Sequence, residues 1–411
     1  MDGETARMQP QAIHDHFLDE FQDMDISNFE SYVIAAFRKG SSDVHFEPLP
    51  AEIRIRCRIE GDLYEMARLR HSPGPKKPHP ITVQIKARSG LQLQARTPED
   101  GRFEMVVDEQ PLNLRVSSIP QVFGEKLVVR IFNVNRITDL RTLGFRDVNL
   151  KRLRQIVVQK AGLILISGPT GSGKTTTLYS ILNYLNDARR NVVTIEDPVE
   201  YFFHGMNQIQ VDGTAMTYDI ALRSILRQDP DVIMIGEIRD KYTAEMAFHA
   251  SMTGHLVLSS VHSNDTVGAV LRLLDLGVPP VILAQGLNGV VSQRLVSKLC
   301  SECAVADSHP PLDAIRTYAP IGCSKCSGGF RERVGVQEIL ILTDTLRKMI
   351  ISNFDEEEFS MLALSEGMET LKEDAIFKSI EGKVSYRDAL GITSESIARI
   401  LADINRILKD I

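Results

Sequence analysis

A glycine-rich segment followed by a lysine and a threonine offers the clearest chemistry in this sequence. Residues 168–175, which read GPTGSGKT, match the pattern G-x-x-x-x-G-K-[ST] of a phosphate-binding loop. Its glycines allow backbone N–H groups to turn toward phosphate oxygens at the start of the following helix. Lys174 would contact the β- and γ-phosphates, and the Thr175 hydroxyl would hold Mg²⁺. We therefore predict a nucleoside triphosphate site formed by Gly168, Pro169, Thr170, Gly171, Ser172, Gly173, Lys174, Thr175 and Thr176.

The segments around this loop predict the elements that position it. Residues 163–167 form a short apolar run typical of a buried strand, and residues 176–182 have the composition of a helix. The same kind of pattern continues downstream, with strands predicted at 191–195, 231–235 and 255–261 and helices at 217–228 and 241–253. Alternating strands and helices of this kind indicate an α/β domain with a largely parallel sheet.

Acidic and histidine side chains follow the ends of the later strands. Glu196 comes after the second strand, Glu237 after the third and His262 after the fourth. Because the carboxyl ends of parallel strands share one edge of a sheet, we expect these three side chains beside the triphosphate. Hydrolysis needs a carboxylate to activate water, and we assign that role to Glu237. Many phosphate-loop enzymes have an aspartate where this chain has Gly236, so we expect Glu196, or else Asp197, to help hold Mg²⁺.

The two histidines around the fourth strand are expected to differ. His255 begins that strand, and seven residues at about 3.3 Å each place it about 23 Å from His262. We therefore expect only His262 to contact the γ-phosphate within its own subunit. A structural or interface role is the better interpretation of His255.

Residues 29–135 have a different pattern, with alternating strands and one or two helices that predict a small α+β domain. Glu99-Asp100-Gly101-Arg102 is predicted to be a turn because it contains an Asp-Gly pair. Arg115 and Arg130 lie in the two strands predicted after it. A solvated surface is the simplest interpretation of each arginine alone. A cluster near a triphosphate would instead stabilise phosphoryl charge during transfer.

Four cysteines form two C-x-x-C pairs at a spacing typical of zinc sites. Cys300 and Cys303 form the first pair, and Cys323 and Cys326 form the second. Four thiolates favour tetrahedral Zn²⁺ in a structural role, with a redox pair as the alternative.

The composition limits the class of protein. The chain has 411 residues, 43% of them hydrophobic, and a formal net charge of −7. This length predicts two or three domains, and the acidic balance argues against a dedicated nucleic-acid binder. No apolar run approaches a membrane span, and the acidic N-terminus lacks the features of a signal peptide, so we expect a cytosolic protein.

These motifs together resemble the secretion ATPase superfamily, in particular the assembly motors of type II secretion and type IV pili. The resemblance runs from residue 41 to about residue 390. Beyond the phosphate loop, the most specific segments are SDVHFEP (42–48), PEDGR (98–102), RVS (115–117), IEDPVE (195–200), LRSILRQDPD (222–231), GEIRD (236–240), TGHLVLS (253–259) and QRL (293–295).

The resemblance implies a hexameric, Mg²⁺-dependent ATPase in which a PAS-like N-terminal domain moves against a RecA-like motor domain. Glu196 would lie in the family's aspartate box, Glu237 in its Walker B element, and His255 and His262 in its histidine box. Arg102 and Arg115 would match arginines that reach the nucleotide from the N-terminal domain. The four cysteines resemble the zinc module of assembly motors.

The implied domains are a tail at 1–28, a PAS-like domain at 29–135, a linker at 136–149, a RecA-like ATPase domain at 150–350 with a zinc module at 296–330, and a helical region at 351–411. Two departures stand out: Glu99 replaces a usual glutamine, and the family's additional N-terminal domain has no counterpart of sufficient length. Apolar stripes also predict an amphipathic helix near residues 13–24 and another near 397–408.

The resulting hypothesis is a cytoplasmic motor at the inner-membrane face, without direct contact to nucleic acid. It would use ATP, Mg²⁺ and Zn²⁺ and act through an inner-membrane platform protein and a membrane anchor of a secretion or pilus system. A competence pilus motor for DNA uptake is one alternative. A RecA-like nucleic-acid translocase and a non-hydrolysing nucleotide-binding scaffold are the others.

Overall fold

The computed structural model describes residues 28–59, 62–70, 78–93, 96–133, 139–187, 189–203, 205–307 and 316–392. The chain divides into two compact units, Met1–Asn135 and Arg136–Ile411. The helices predicted near residues 13–24 and 397–408 lie outside the described residues. None of the helices within the described ranges is long and apolar enough to cross a membrane.

The first unit is an α+β domain built on an antiparallel sheet of six strands in the order β3-β2-β1-β6-β5-β4. Its elements are α1 (Phe29–Arg38), β1 (Asp43–Pro48), β2 (Glu52–Ile59), β3 (Asp62–Arg70), α2 (Pro80–Arg88), β4 (Glu99–Val107), β5 (Gln110–Gln121) and β6 (Gly124–Asn133). Both helices contribute to the apolar core that covers one face of the sheet, for example through Val33 and Ile85, which are fully buried. The other face carries most of the charged side chains, as the strict alternation in β2 predicts.

The turn predicted at residues 99–102 is wrong, because these residues belong to strand β4. The turn of this hairpin lies instead at Asp108 and Glu109, whose φ angles of 49° and 64° suit a tight hairpin connection. Gly101 is required by close packing rather than by a turn. A Cβ at this position would lie 2.4 Å from the carbonyl oxygen of Ser89, so only glycine lets β4 pass the end of α2.

The second unit is an α/β domain whose sheet has seven strands in the order β15-β12-β7-β11-β10-β8-β9. After a short 3-10 helix at Leu140–Leu143, its elements are α3 (Asp147–Val157), β7 (Gly162–Ser167), α4 (Lys174–Leu185), β8 (Val192–Glu196), β9 (Met206–Gln210), α5 (Tyr218–Ile225), β10 (Val232–Ile235), α6 (Lys241–Met252), β11 (Leu256–Val261), α7 (Thr266–Asp275), α8 (Pro280–Gly286), β12 (Leu287–Leu299), β13 (Val305–Asp307), β14 (Thr317–Ala319), β15 (Phe330–Ile341), α9 (Asp344–Ser352), α10 (Glu356–Ser365), α11 (Leu371–Ile380) and α12 (Tyr386–Leu390).

The four strands expected around the phosphate loop are present as β7, β8, β10 and β11, and they pair in parallel. Every side chain of these strands is buried, as expected for a sheet covered on both faces. Three further strands extend the sheet: β9 on one side, and β12 with the antiparallel β15 on the other.

Strands β12 and β15 form a long hairpin whose far end carries the four cysteines and the small β13–β14 ribbon. Helices α11 and α12 pack against this hairpin through a separate apolar cluster that includes Val336, Ile376 and Tyr386. Helices α10 to α12 lie within the helical region expected at 351–411, and α9 already begins before it, at Asp344. The hairpin therefore joins the cysteine module directly to the central sheet.

Candidate nucleotide-binding and hydrolysis site

The phosphate loop connects the end of β7 to the start of α4, as the motif requires. Gly168, Gly171 and Gly173 have φ angles of 147°, 79° and 89°, values that side chains with a Cβ rarely adopt. The Lys174 ammonium lies over the loop, where it donates to the carbonyl oxygens of Gly168 at 2.7 Å and Pro169 at 3.1 Å. Burial lowers the pKa of Lys174, while the negative charge of Glu237 raises it. The loop and its lysine thus have the geometry expected for binding a polyphosphate.

Glu237 and His262 meet at the carboxyl edge of the sheet. The Nε2 atom of His262 lies 3.2 Å from Oε1 of Glu237, and Arg239 donates from Nε to Oε2 of the same carboxylate at 2.7 Å. The Glu237 side chain is only 17% exposed, whereas those of His262 and Arg239 are 49% and 62% exposed. The negative charge of Glu237 acts to raise the pKa of Lys174, as expected for a carboxylate on the sheet edge that carries the phosphate loop. A carboxylate held between an imidazole and a guanidinium group here has the chemistry needed to orient water.

Glu196 lies in the interior rather than on the open edge, with 4% of its surface exposed. Its Oε2 atom accepts from the Tyr179 hydroxyl, and its Oε1 atom accepts from Thr194 at 2.6 Å and from Gln208 at 3.3 Å. Burial raises the pKa of Glu196, although these hydrogen bonds oppose the increase. The neighbouring Asp197 is exposed, and its charge acts on Arg239. Asp197 is therefore the accessible acid after β8, while Glu196 connects β8 to α4 through its hydrogen bond with Tyr179.

His255 immediately precedes β11, whereas His262 immediately follows it. The Nδ1 atom of His255 lies 2.9 Å from the carbonyl oxygen of Ala250 and 3.2 Å from the Thr253 hydroxyl. These partners belong to the end of α6, so His255 joins that helix terminus to the strand.

Three arginines of the first unit occupy one row across its sheet. Arg102 pairs in register with Arg115, Arg115 with Arg130, and Arg130 with Asp43. Arg130 contacts the Asp43 carboxylate at 2.9 Å, and Arg115 contacts that of Asp100 at 3.2 Å. Because paired residues of antiparallel strands share a face, the cluster suspected from the sequence is present within this unit.

The four predicted metal ligands lie together at the end of the β12–β15 hairpin. The sulfur atoms of Cys300, Cys303, Cys323 and Cys326 are all within 4.8 Å of one another. The Cys326 sulfur is 3.6 Å from those of both Cys303 and Cys323. Tetrahedral thiolates at the Zn–S bond length would be about 3.8 Å apart, so this cluster fits one zinc ion.

Two residues, Arg239 and Gln293, make contacts at the site that were not predicted from the sequence. Arg239 contacts Glu237. The segment GEIRD (236–240) was the sequence signal for it, but no role was assigned to the arginine. Gln293 on β12 contacts the loop from behind, with hydrogen bonds to Ser172 and Thr177. Its contribution depends on the pairing of β12 with β7, which local sequence pattern does not reveal.

Comparison with known proteins finds relatives over most of the chain. A family described as "Type II/IV secretion system protein" matches residues 23–394. A type IV pilus assembly ATPase PilB of Myxococcus xanthus (strain DK1622) is 39% identical over 377 residues, a match that covers 87% of this chain and 66% of PilB. A type II secretion system protein E of Pectobacterium carotovorum subsp. carotovorum is 38% identical, with 88% of this chain and 74% of that protein covered.

Among solved structures, the pilus retraction motor PilT with bound ADP has a similar fold. The two chains are 26% identical and superpose with a TM-score of 0.64 over 90% of this chain and 97% of PilT. The family match, the identity to these relatives and the shared fold all lead to one conclusion: the chain belongs to the type II/IV secretion system protein family.

Proposed function

We propose that this protein is a Mg²⁺-dependent ATPase that powers assembly of a type II secretion pseudopilus or a type IV pilus. The observation that carries the proposal is the Glu237 carboxylate, which lies 3.2 Å from Nε2 of His262 at the carboxyl edge of the sheet that carries the phosphate loop. Relatives named as PilB and as type II secretion protein E support the assembly role, and the ADP bound to PilT supports the nucleotide.

Different groups of the loop bind different parts of the nucleotide. Backbone N–H groups of 168–175 bind the phosphates, and Lys174 exchanges its carbonyl contacts for β- and γ-phosphate oxygens. The Thr175 hydroxyl would hold Mg²⁺, which would neutralise part of the phosphate charge when bound.

Glu237 orients the attacking water and accepts its proton, and His262 donates a hydrogen bond toward the γ-phosphate. Glu196 accepts hydrogen bonds from Tyr179, Thr194 and Gln208 and thereby holds β8 in place. The adjacent Asp197 is exposed and would be the acid available to help hold Mg²⁺. Both acids named in the sequence analysis therefore keep a role: the buried Glu196 is structural, and the exposed Asp197 is available to the metal.

The finer architecture is part of the same proposal. The first unit acts as a PAS-like domain, the second as a RecA-like motor, and the four cysteines hold structural Zn²⁺ in the assembly module. Six copies form a ring at the cytoplasmic face of the inner membrane, where a platform protein and a membrane anchor are the partners. Arg102 and Arg115 supply cationic charge to nucleotide during the cycle.

The catalytic assignment is tested with Glu237→Gln, which keeps the shape of the side chain and removes the general base. We expect kcat for ATP hydrolysis to fall on the order of 10²- to 10⁴-fold while ATP binding persists. Glu245→Gln is the matched control, because Glu245 on α6 is 50% exposed and pairs only loosely with Lys241 at 3.7 Å. Undiminished turnover in Glu237→Gln would contradict the proposal.

The arginine assignment is tested with Arg115→Gln and compared with Arg68→Gln on the same sheet. The Arg68 side chain is 50% exposed and pairs with Glu65 and Glu52. We expect only Arg115→Gln to lower kcat, on the order of a hundredfold or more. Equal rates for the two variants would remove Arg115 from the hydrolysis site.

A further inference from the structure

We propose that Gln293 is a positioning residue that orients a phosphate-binding N–H group of the loop, with Thr177 as its anchor. This inference rests on the proposed function, because it concerns how the same loop binds the phosphates of ATP. Gln293 belongs to β12, outside the phosphate-loop motif.

The side-chain amide of Gln293 uses both of its ends. Its Nε2 atom donates to the carbonyl oxygen of Ser172 in the loop at 2.7 Å. Its Oε1 atom accepts from the Thr177 hydroxyl in the first turns of α4, also at 2.7 Å. Gln293 is 3% exposed and Thr177 is fully buried, so water competes little for either hydrogen bond.

The loop also lies directly against the β12 backbone at this residue. A Cβ on Gly168 would lie 2.5 Å from the carbonyl oxygen of Gln293, and a Cβ on Gly173 would lie 2.7 Å from its Nε2 atom. Both glycines are therefore required by the close approach of β12 as well as by their positive φ angles. Gln293 thus packs directly against the side of the loop that faces β12.

The contact with Ser172 has a consequence for the opposite side of the loop. The carbonyl group of Ser172 and the N–H of Gly173 belong to one planar trans peptide, so they point in opposite directions. When Gln293 fixes the carbonyl oxygen on its own side, the Gly173 N–H must point away from β12. In a phosphate loop this N–H belongs to the set that binds phosphate oxygens.

An amide makes both contacts at once, and an ionised carboxylate of the same shape cannot. Glutamate at position 293 keeps the shape and can still accept from Thr177, but it has no N–H to donate to Ser172. Its carboxylate would instead face a carbonyl oxygen and repel it. Valine at position 177 removes the other hydrogen bond, whereas serine keeps it.

The test compares Gln293→Glu, Thr177→Val and Thr177→Ser with the parent protein for ATP and ADP affinity and for steady-state hydrolysis. We expect Gln293→Glu and Thr177→Val to bind both nucleotides about tenfold more weakly. KM should rise with less change in kcat, because loop N–H groups bind phosphate in the ground state and the transition state alike. Thr177→Ser should match the parent, and so should Gln159→Glu, the same change at an exposed position after α3.

The outcomes separate this inference from the function on which it rests. If the parent protein binds no ATP, the proposed function fails. If the parent binds ATP and Gln293→Glu binds it equally well, the positioning role alone is overturned. If circular dichroism shows that Gln293→Glu does not fold, the test rests on Thr177→Val and Thr177→Ser. Equal ATP affinities for these two variants would overturn the proposal.

Discussion

Replacing Glu47 with glutamine should destabilise the first unit at neutral pH and leave its stability unchanged near pH 2. Glu47 is 6% exposed, and its carboxylate contacts Arg54 at 2.9 Å, Arg56 at 2.7 Å and Lys126 at 3.1 Å. Burial by itself would raise the pKa of Glu47. The hydrogen bonds and positive charges of Arg56 and Lys126 outweigh burial and lower the pKa from 4.5 to about 2.

The size and sign of the effect follow from this difference in pKa. A shift from 4.5 to about 2 corresponds to about 3 kcal/mol of folding free energy at pH 7. The folded state stabilises the ionised form of Glu47 relative to the unfolded state. This stabilisation is therefore complete above pH 4.5 and is lost as the pH falls toward 2. The cationic side chains are 25% to 30% exposed, so solvent screening reduces the expected loss in Glu47→Gln to about 2 kcal/mol.

Hydrogen exchange in peptides from β1 and β2, read by mass spectrometry over a urea series, measures the stability of this unit within the full chain. The parent and Glu47→Gln proteins are compared at the same pH, so that intrinsic exchange rates cancel. Glu65→Gln is the control, because Glu65 pairs with Arg68, whose side chain is 50% exposed. If Glu47→Gln lowered the free energy of unfolding by the same amount at pH 7 and at pH 2.5, the reasoning would be refuted.

Two further predictions concern the second unit. Lys378 and Asp374 form a buried ion pair, so Lys378→Met should cost about 3 to 5 kcal/mol and lower the calorimetric Tm, whereas Lys298→Met at an exposed pair should cost less than about 1 kcal/mol. Cys326→Ser should reduce bound zinc, measured by elemental analysis, well below that of a Cys57→Ala control, because Cys57 lies in the core of the first unit. Normal Tm in Lys378→Met, or full zinc occupancy in Cys326→Ser, would contradict the respective prediction.

Local sequence patterns were sufficient wherever the physical cause is itself local. The phosphate loop is defined by glycine conformations and by the strand and helix next to it, and both flanks are recognisable in the sequence. The apolar runs of β7, β8, β10 and β11 are fully buried in the structure, as their composition indicates. The two cysteine pairs likewise carry their spacing in the sequence, and their sulfur atoms converge.

The misassigned turn shows where local patterns fail. Asp100 and Gly101 have typical turn composition, yet the glycine is required because α2 ends 2.4 Å from where its Cβ would be. That neighbour is distant in sequence, and only the packed domain reveals it. The polar strand β9 was missed for a related reason, since an edge strand with exposed side chains lacks an apolar signal.

The sequence by itself determined the chemistry available: a phosphate-binding loop, acids and a histidine after parallel strands, and four thiols at metal spacing. The tertiary structure decided which of these groups act together. Glu196 and Asp197 are adjacent in the chain, but the first is buried by Tyr179 and the second is exposed. Gln293 reaches the loop only because β12 pairs with β7, and such long-range pairing depends on the whole sheet rather than on neighbouring residues.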